Sequence, residues 1–383
     1  MIRAYFLFLT NWCKLFLWLI SHIGESRIMG VARNLVLLVL MPLMLVLLHI
    51  HWLGFLLDEV LFLGYRKIPI RQPLFILGVP RSGTTYLQRT LSRDTQFTTT
   101  TLEECLFAPS IIQRYVLSWL KRLFRPITRR LFQNKSSFTQ SMDHIHSLGL
   151  EEPEEDFLLL LPILSSFIQM VVFPSNPRFW RLAYFDKELP ERERDVILNF
   201  YYKMVQRHLY FHGRDKILLS KNPSFTSLIG SLKRYFPDST IIACVRSPEE
   251  TVPSQISSLK PAFDLLRHDI ADPQFQQAVS KMLAHYYALI EEYSGTENTL
   301  YVLEIGELKS RLYDCVLSLY GKGGYSLSSE MEQFYQQEAE RNLAYQSAHQ
   351  YAKESHLENR FVDFNQFWPM SGQSRLLSNA AEG

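Results

Sequence analysis

The sequence predicts an α/β fold in which a parallel sheet is flanked by helices, with a helical cap insertion and hydrophobic helices at the N-terminus. Three observations predict it. Short apolar runs typical of buried strands recur along the chain, separated by helical patterns. A long aromatic and polar insertion, residues 92–215, follows the first run, and the first 66 residues are mostly apolar. The predicted strands are 74–77, 216–219, 240–245 and 300–303.

Composition limits the classes of protein that are possible. The chain has 383 residues, of which 47% are hydrophobic, enough for one α/β domain with an insertion or for two average domains. Its net charge of +2 gives no reason to expect a nucleic-acid partner. The four cysteines are scattered without metal-ligand spacing, so we expect reduced thiols, a cytosolic compartment and no metal. We divide the chain into a hydrophobic anchoring region, a main domain and a tail, at 1–66, 67–370 and 371–383.

The N-terminal region contains two hydrophobic stretches. Leu35–Leu57 has no Asp, Glu, Lys or Arg and is long enough to cross a bilayer as a helix. Ala4–Ile20 is also apolar but contains Lys14. Two membrane arrangements stay open, a spanning or re-entrant hairpin and a monotopic anchor in the interface. In a third interpretation, Leu35–Leu57 is a buried helix of the globular domain. The flanking charges do not decide the orientation.

A glycine turn between a strand and a helix predicts a phosphate site. The strand 74–77 runs into Gly78-Val79-Pro80-Arg81-Ser82-Gly83, and a helical pattern begins at Thr84. N–H groups of such a turn converge on an anion, and glycine lets the backbone approach it. The spacing is P-loop-like, but Thr84 replaces the lysine that reaches the β- and γ-phosphates of a nucleoside triphosphate. An ordinary βα turn is the alternative. The predicted cofactor-binding residues of this loop are Gly78, Pro80, Arg81, Ser82, Gly83, Thr84 and Thr85.

The run Gly-x-Pro-Arg-Ser-Gly-Thr-Thr resembles the 5′-phosphosulfate loop of sulfotransferases, which use 3′-phosphoadenosine 5′-phosphosulfate (PAPS). The resemblance is to the mostly bacterial group with an apolar N-terminal region and runs from about Phe62 to Trp368. It implies PAPS as co-substrate and no metal. Arg246, after the strand 240–245, and Ser254, one to two helical turns later, match the pair that binds the donor's 3′-phosphate. Arginine offers a forked donor set for phosphate, and ATP lacks this phosphate.

The resemblance also suggests catalytic residues. In several sulfotransferase branches a glutamate before an aromatic turn is the base, and Glu104 matches it best, with Glu103 second. A solvated glutamate pair or an N-cap partner is the alternative. His146 and Glu155 match a second motif, in which His146 would act as base or stabilise the transferring group. The acids after Pro153 would equally well cap a helix.

Lys221 is the third candidate catalytic residue. Cytosolic sulfotransferases have a Lys-x-His segment whose histidine is the base, whereas this chain has Lys221-Asn222-Pro223. Lys221 would therefore stabilise charge on the bridging oxygen, and the search for the base moves to Glu104 and His146.

Three further segments carry expectations. We expect Phe157–Val172 to be a core helix or a wall of the acceptor pocket, and the basic stretch 111–132 to be a cap helix or a lipid-binding helix. Helices are expected at 264–293 and 308–319. His349 and Tyr351 resemble a C-terminal element that closes over the nucleotide, with a packed helix as the alternative.

These observations predict a membrane-associated sulfotransferase that moves a sulfuryl group from PAPS to a hydroxyl of a lipid, glycolipid or other small-molecule acceptor. The donor nucleotide is made in the cytosol, which favours a cytoplasmic catalytic domain. The alternatives are a P-loop kinase or NTPase and a non-catalytic, membrane-bound nucleotide-binding scaffold.

Overall fold

The computed structural model describes residues 1–23, 28–132, 150–294, 300–344, 362 and 376–377. Its described part contains one five-stranded sheet in which all neighbouring strands are parallel, in the order β2-β3-β1-β4-β5. The predicted α/β fold with a parallel sheet is confirmed. The strands are β1 (Leu74–Gly78), β2 (Phe97–Thr98), β3 (Ile217–Lys221), β4 (Thr240–Val245) and β5 (Leu300–Glu304).

Register brings the carboxyl ends of the central strands together. β1 lies between β3 and β4, with Ile76 opposite Lys221 and Gly78 opposite Cys244. Cys244 in turn lies opposite Leu303 of β5. Ligands of open parallel sheets bind in the crevice outside these ends, so the loops after β1, β3 and β4 share one edge.

Helices cover both faces of the sheet. The alternation of side chains along β1 sends Leu74 and Ile76 into one core and Phe75 and Leu77 into the other. The helices of the first half are α1 (Ile2–Ser21), α2 (Ile28–Leu61), α3 (Thr84–Leu91), α4 (Leu102–Phe107), α5 (Ile111–Phe132), α6 (Gln169–Val172), α7 (Pro177–Leu182), α8 (Phe185–Glu188) and α9 (Glu191–His212). Those of the second half are α10 (Ile229–Tyr235), α11 (Pro248–Leu266), α12 (Pro273–Ser294), α13 (Ile305–Ser310), α14 (Leu312–Gly323) and α15 (Ser329–Ala344). Short 3-10 helices cover Leu63–Lys67, Asp156–Ile163 and Pro223–Leu228.

The segment 157–172 is not the single helix that its apolar run suggests. It forms the 3-10 helix Asp156–Ile163, a turn, and the short α6. Pro162 has no N–H to donate, and Leu164 adopts a left-handed conformation with φ of 52°, which ends the helix. Pro153 does not begin a helix either, because it pairs with Thr101 in an isolated antiparallel bridge.

Two other predicted helices are each divided. α11 ends at Leu266, where Arg267 has a φ of 56°, and α12 begins at Pro273 after Asp272, whose Oδ1 accepts from the N–H of Gln274. A proline disfavours the helical conformation of the residue before it, which separates the two helices. In the same way, α13 and α14 replace one helix over 308–319, with a break at Arg311.

The two N-terminal helices are long and apolar enough to cross a membrane by length and composition. Each packs one face on the domain, and α2 leaves a long row of apolar side chains exposed. The interpretation of Leu35–Leu57 as a fully buried helix is therefore wrong, because a buried helix would cover those side chains.

Candidate nucleotide and acceptor site

The loop after β1 is fixed by contacts that only glycine permits. Gly78 has a φ of +113°, and a Cβ at this position would lie 2.0 Å from the carbonyl oxygen of Cys244. The N–H of Gly78 donates to Oγ1 of Thr226, which donates back to its carbonyl, both over 2.8 Å. The N–H of Val79 donates to the carbonyl of Cys244, which joins the start of the loop to β4. The chain can leave β1 in this direction only without a side chain at residue 78.

The rest of the loop presents N–H groups at the start of α3. Arg81 adopts a left-handed conformation with φ of 66°, which is uncommon for a residue with a side chain. Oγ of Ser82 donates to the carbonyl of Val79 over 2.6 Å. Gly83 stands at the N-cap with a φ of 87° and supplies no capping side chain. The first N–H groups of α3, from Thr84 onward, therefore have no cap from the N-cap side chain, an arrangement that suits an anionic ligand.

Arg81, Arg246 and Ser254 come together although they are far apart in sequence. Nε of Arg81 donates to Oγ of Ser254 over 3.2 Å, and a terminal nitrogen of Arg246 lies 3.5 Å from the carbonyl of Arg81. Nε of Arg246 also donates to Glu250 over 2.9 Å. Tyr287 donates to the carbonyl of Arg246 and fixes the end of β4. Two arginines and a hydroxyl thus share one side of the glycine loop.

A cavity of about 660 Å³ opens beside these residues. Pro80 and Gly83 of the loop line it, and its polar lining includes Arg81, Thr84, Thr85, Glu155, Ser224, Arg246, Gln255, Ser258 and Lys309. Its apolar lining includes Phe157, Phe167, Ile168, Met170, Val171, Leu259 and Met282. A volume of this size, with an apolar wall and a few convergent polar groups, fits an organic ligand that carries anionic groups. The expectation that 157–172 forms a pocket wall agrees with this lining.

Lys221 and Glu155 form an ion pair at the edge of the cavity. Nζ of Lys221 lies 2.8 Å from Oε1 of Glu155, and the two side chains are 4% and 27% exposed. Burial raises the pKa of Glu155, and the charge of Lys221 only partly offsets it. A carboxylate with a raised pKa that faces a ligand cavity is suited to accept a proton. In the sequence Glu155 is recognisable only as a motif position, and the signal for its partner is a lysine at the end of the buried strand β3, which requires a carboxylate opposite.

Glu104 lies elsewhere, inside the insertion. Its carboxylate accepts from Nε2 of His212, and its Oε2 is 3.6 Å from Nδ1 of His208 and 3.9 Å from the guanidinium of Arg114. Burial by itself raises the pKa of Glu104, but Arg114 and the two histidines outweigh burial and hold the pKa well below its ordinary value. Among the described residues, Glu104 is not one of those that line the cavity. This geometry gives no support to the prediction that Glu104 is the base.

Glu104, His208 and His212 are residue types that bind metals, and their ligand atoms lie within 4.8 Å of one another. One nitrogen of Arg114 lies 3.1 Å from Nδ1 of His208, and Thr98 occupies Nε2 of the same ring. Both ring nitrogens of His208 therefore already have hydrogen-bond partners. A metal ion bound here would also be repelled by the positive charge of Arg114. The group fits a buried ion-pair network better than a metal centre.

The remaining predicted residues lie outside the described part of the chain. His146 falls in the interval 133–149, and His349 and Tyr351 fall in 345–361. Their predicted roles stay predictions.

Comparison with known proteins gives one family match. A sequence model described as the sulfotransferase family matches residues 73–301, which is more than half of the chain and includes every strand of the sheet up to the start of β5. The match contains the glycine loop, Glu155, Lys221, Arg246 and Ser254.

Curated relatives carry the name omega-hydroxy-beta-dihydromenaquinone-9 sulfotransferase. Those of Mycobacterium bovis and Mycobacterium tuberculosis are each 30% identical over 219 residues, which cover 57% of this chain and 52% of the relative. The chain thus spans about half the length of the curated relatives it matches.

Two solved structures share the fold. A sulfotransferase from Mycobacterium avium superimposes with a TM-score of 0.61 at 15% identity, covering 85% of this chain and 81% of the other. A sulfotransferase from Mycobacterium tuberculosis gives 0.58 at 19% identity, covering 88% and 86%.

Proposed function

Because the chain belongs to the sulfotransferase family, we propose that it transfers a sulfuryl group from PAPS to a hydroxyl group of a lipid acceptor. The observation that carries this proposal is the meeting of Arg81, Arg246 and Ser254 beside the glycine loop. This arrangement offers two neighbouring anion sites, one for a 5′-phosphosulfate and one for a 3′-phosphate.

The positive groups at these two sites indicate which nucleotide is the sulfuryl donor. N–H groups from Val79 to Thr85 would bind the 5′-phosphosulfate, with Arg81 beside its equatorial oxygens. Arg246 and Ser254 would bind the 3′-phosphate, which ATP and ADP lack. Thr84 stands where an ATP-binding loop has a lysine, which further favours PAPS over a nucleoside triphosphate.

We assign the proton transfer to Glu155 and the leaving-group contact to Lys221. The acceptor oxygen would attack sulfur in line, the bond from sulfur to the phosphate oxygen would break, and the acceptor proton would pass to the Glu155 carboxylate. Lys221 would stabilise the negative charge that develops on the oxygen that bridges sulfur and phosphorus in PAPS and leaves as a 5′-phosphate oxygen of 3′,5′-bisphosphoadenosine. Protein donors would thus neutralise the transferring group, so the proposed step includes no metal.

The other two predicted catalytic residues take different places in this proposal. Glu104 pairs with Arg114 and two histidines, so we assign it the role of holding α4, α5 and α9 together. His146 stays a candidate for a second base or for charge stabilisation, on the strength of the motif alone.

Two observations favour a lipid acceptor. The relatives that this chain resembles are named for a hydroxylated dihydromenaquinone. The segment from Phe157 to Phe173 also lies between the cavity and α1: Phe157 lines the cavity, while the carbonyl of Ile163 accepts from Asn11 of α1 over 2.8 Å. The ring of Phe173 contacts Trp18 of the same helix. An acceptor with a long apolar part would therefore reach the cavity along this segment.

The proposal includes a location. We propose a membrane-associated protein whose catalytic domain is cytoplasmic, since PAPS is made in the cytosol. The low net charge gives no support to a nucleic-acid partner.

Nucleotide binding tests the donor site directly. The affinities of 3′,5′-bisphosphoadenosine and ADP would be measured by calorimetry on detergent-purified full-length protein, in wild type, Arg246→Ala and Arg192→Ala. Arg192 is an exposed arginine of α9 and serves as the matched control. We expect wild type and Arg192→Ala to prefer the 3′-phosphorylated ligand by at least about tenfold, a difference of about 1.4 kcal/mol, and Arg246→Ala to lose the preference.

Equal binding of the two nucleotides by the wild type would overturn the donor assignment. A requirement for Mg²⁺ together with tighter ATP binding would favour a kinase or NTPase. Selective binding of 3′,5′-bisphosphoadenosine without turnover of PAPS on any hydroxylated lipid would favour a scaffold.

A further inference from the structure

Both ends of α2 are joined to the same globular domain. Near its start, a terminal nitrogen of Arg33 lies 2.7 Å from Nδ1 of His268. Near its end, Asp58 and Arg207 form a fully buried ion pair over 2.9 Å. A helix spans about 37 Å from residue 33 to residue 58, which is more than the roughly 30 Å of a bilayer's hydrocarbon core. The helix could cross a bilayer only by carrying His268 and Arg207, with the domain between them, into the lipid.

Contacts along the middle of α1 and α2 also attach these helices to the domain. Nδ2 of Asn11 donates to the carbonyl of Ile163, and Nε1 of Trp52 donates to the carbonyl of Pro162 over 3.1 Å. Nε1 of Trp12 donates to the carbonyl of Met41 and joins α1 to α2. The inner faces of α1 and α2 are therefore held on the domain between their ends as well.

The outer face of α2 is a continuous apolar row. No Asp, Glu, Lys or Arg occurs between residues 35 and 57, and the most exposed member, Val39, is 75% exposed. Monomeric soluble proteins rarely expose an apolar patch of this extent without a partner. The row, here called the α2 stripe, consists of Leu35, Val36, Val39, Leu40, Leu43, Val46, Leu47, Ile50, Leu53, Leu56, Leu57, Val60 and Leu61.

The surroundings of the α2 stripe have the character of a membrane interface. On α1 the exposed face carries Arg3 and Lys14 beside Phe6 and Leu17. A lysine in the middle of a spanning helix would meet hydrocarbon, whereas at an interface it reaches the head groups. Beyond the other end of the stripe, Lys67 is exposed. Basic side chains around an apolar row favour anionic lipid.

We propose that α1 and α2 form a monotopic membrane-binding surface, in which the α2 stripe enters one leaflet of a bilayer and both helix axes lie near the membrane plane. Neither helix spans. The occupant is lipid rather than a second copy of this chain, because two copies would bring the basic residues Arg3, Lys14 and Lys67 of each toward those of the other. The proposal is independent of the reaction chemistry, since it depends only on how the helices pack.

The depth of spin labels along α2 distinguishes a monotopic surface from a spanning helix and from a dimer. Val36→Cys, Leu43→Cys, Ile50→Cys and Leu57→Cys place one cysteine at every second turn of the stripe. Each would be made in a Cys13→Ser background, because Cys13 is exposed and the other three cysteines are buried. The full-length protein would carry a nitroxide at each site and would be bound to vesicles of equal parts phosphatidylcholine and phosphatidylglycerol. Immersion depth is then measured from relaxation by oxygen and by a water-soluble nickel complex.

We expect all four labels to show similar, shallow depths. A profile that is deepest near the middle of the row and shallow at both ends would show a spanning helix and overturn the proposal. Labels that are protected from both relaxing agents and that broaden one another would show a dimer at this face and would also overturn it.

Vesicle flotation supplies a second measurement that does not need labels. We expect Leu43→Glu and Ile50→Glu each to weaken binding to these vesicles by about tenfold or more, since full burial of one such side chain is worth at least that factor. Leu317→Glu is the matched control, because Leu317 is an exposed leucine of α14 outside the stripe and should leave binding unchanged. Unchanged binding of both stripe variants, with normal thermal unfolding, would refute a role of the stripe in lipid binding.

Discussion

Nζ of Lys221 donates a hydrogen bond to Oε1 of Glu155 over 2.8 Å, joining the end of β3 to the start of the 3-10 helix Asp156–Ile163. Lys221 is opposite Ile76 of β1, two residues before the glycine turn, so the pair lies next to the phosphate loop. A nearly buried lysine would be costly without a counter-ion, and the carboxylate that pairs with it also faces the cavity. The pair therefore connects the surroundings of the glycine loop with the wall of the cavity.

Glu155→Gln should remove turnover and keep nucleotide binding. The amide cannot accept the acceptor's proton, so we expect kcat for sulfuryl transfer to a hydroxylated lipid to fall by about 10²- to 10⁴-fold. The affinity for 3′,5′-bisphosphoadenosine, measured by calorimetry, should change little, because Glu155 is not among the residues assigned to either phosphate. A variant with unchanged kcat would exclude Glu155 as the base.

Glu104→Gln should have the opposite effects. Loss of this carboxylate leaves the buried Arg114 without a charged partner, and we expect the free energy of unfolding to fall by about 3 to 5 kcal/mol. Turnover per folded molecule should stay within a few-fold of the wild type, assayed at low temperature, where the variant is folded. Loss of turnover without loss of stability would instead restore Glu104 as the base.

Activity should decline at acid pH. Glu155 acts only when unprotonated, and its pKa is raised above the ordinary 4.5, so kcat/KM should fall as pH decreases through a pKa above 4.5. The charge of Lys221 lowers that pKa, so Lys221→Met should move the acid limb of the profile to higher pH, besides lowering kcat. Lys281→Met, at an exposed position on α12, should leave the limb in place. An acid limb that Lys221→Met does not move would contradict the assignment.

Gly78→Ala should be strongly destabilising. The new Cβ would lie 2.0 Å from the carbonyl oxygen of Cys244, in a buried strand that cannot withdraw, and we expect a loss of about 3 kcal/mol or more in the free energy of unfolding. Gly306→Ala is the control, since nothing lies within 4 Å of a Cβ there, and its effect should stay within about 0.5 kcal/mol. Thermal unfolding compares the two variants. Equal melting temperatures would contradict the expected clash between a Cβ at residue 78 and the carbonyl of Cys244.

Asp58→Asn should loosen α2 from the domain. Asp58 pairs with Arg207 and also accepts from the N–H groups of Ile111 and Ile112 at the start of α5, so we expect a loss of about 3 kcal/mol. Asp264→Asn removes an exposed pair with Lys260 and should cost less than about 1 kcal/mol. Urea unfolding measures both changes. If α2 were an independent membrane anchor, Asp58→Asn would be as mild as the control.

Local patterns were enough to predict four of the five strands and the glycine turn after β1, whereas the two-residue strand β2 was not predicted. The strand 240–245 was predicted with the bounds that the structure has, because an uninterrupted apolar run bounded by turns has few other conformations. Glycines at 78 and 83 both adopt positive φ, as the turn before Thr84 requires. Local patterns predicted the structure less well where competing conformations have similar energies. The run 157–172 is apolar enough for one helix, yet Pro162 and the turn at Leu164 divide it.

By itself, the sequence determined the fold class and the glycine turn after β1, because each depends on residues close together in the chain. Arg246 and Ser254 were identified by their resemblance to a family motif, and only the tertiary structure brings them beside Arg81. Only the tertiary structure decided that Glu155 faces Lys221 at the cavity while Glu104 is enclosed by Arg114, His208 and His212. Only the tertiary structure showed that both ends of α2 are joined to one domain. The physical reason is that pairing of distant charges and docking of helices depend on how remote segments pack, and a run of neighbouring residues does not encode that packing.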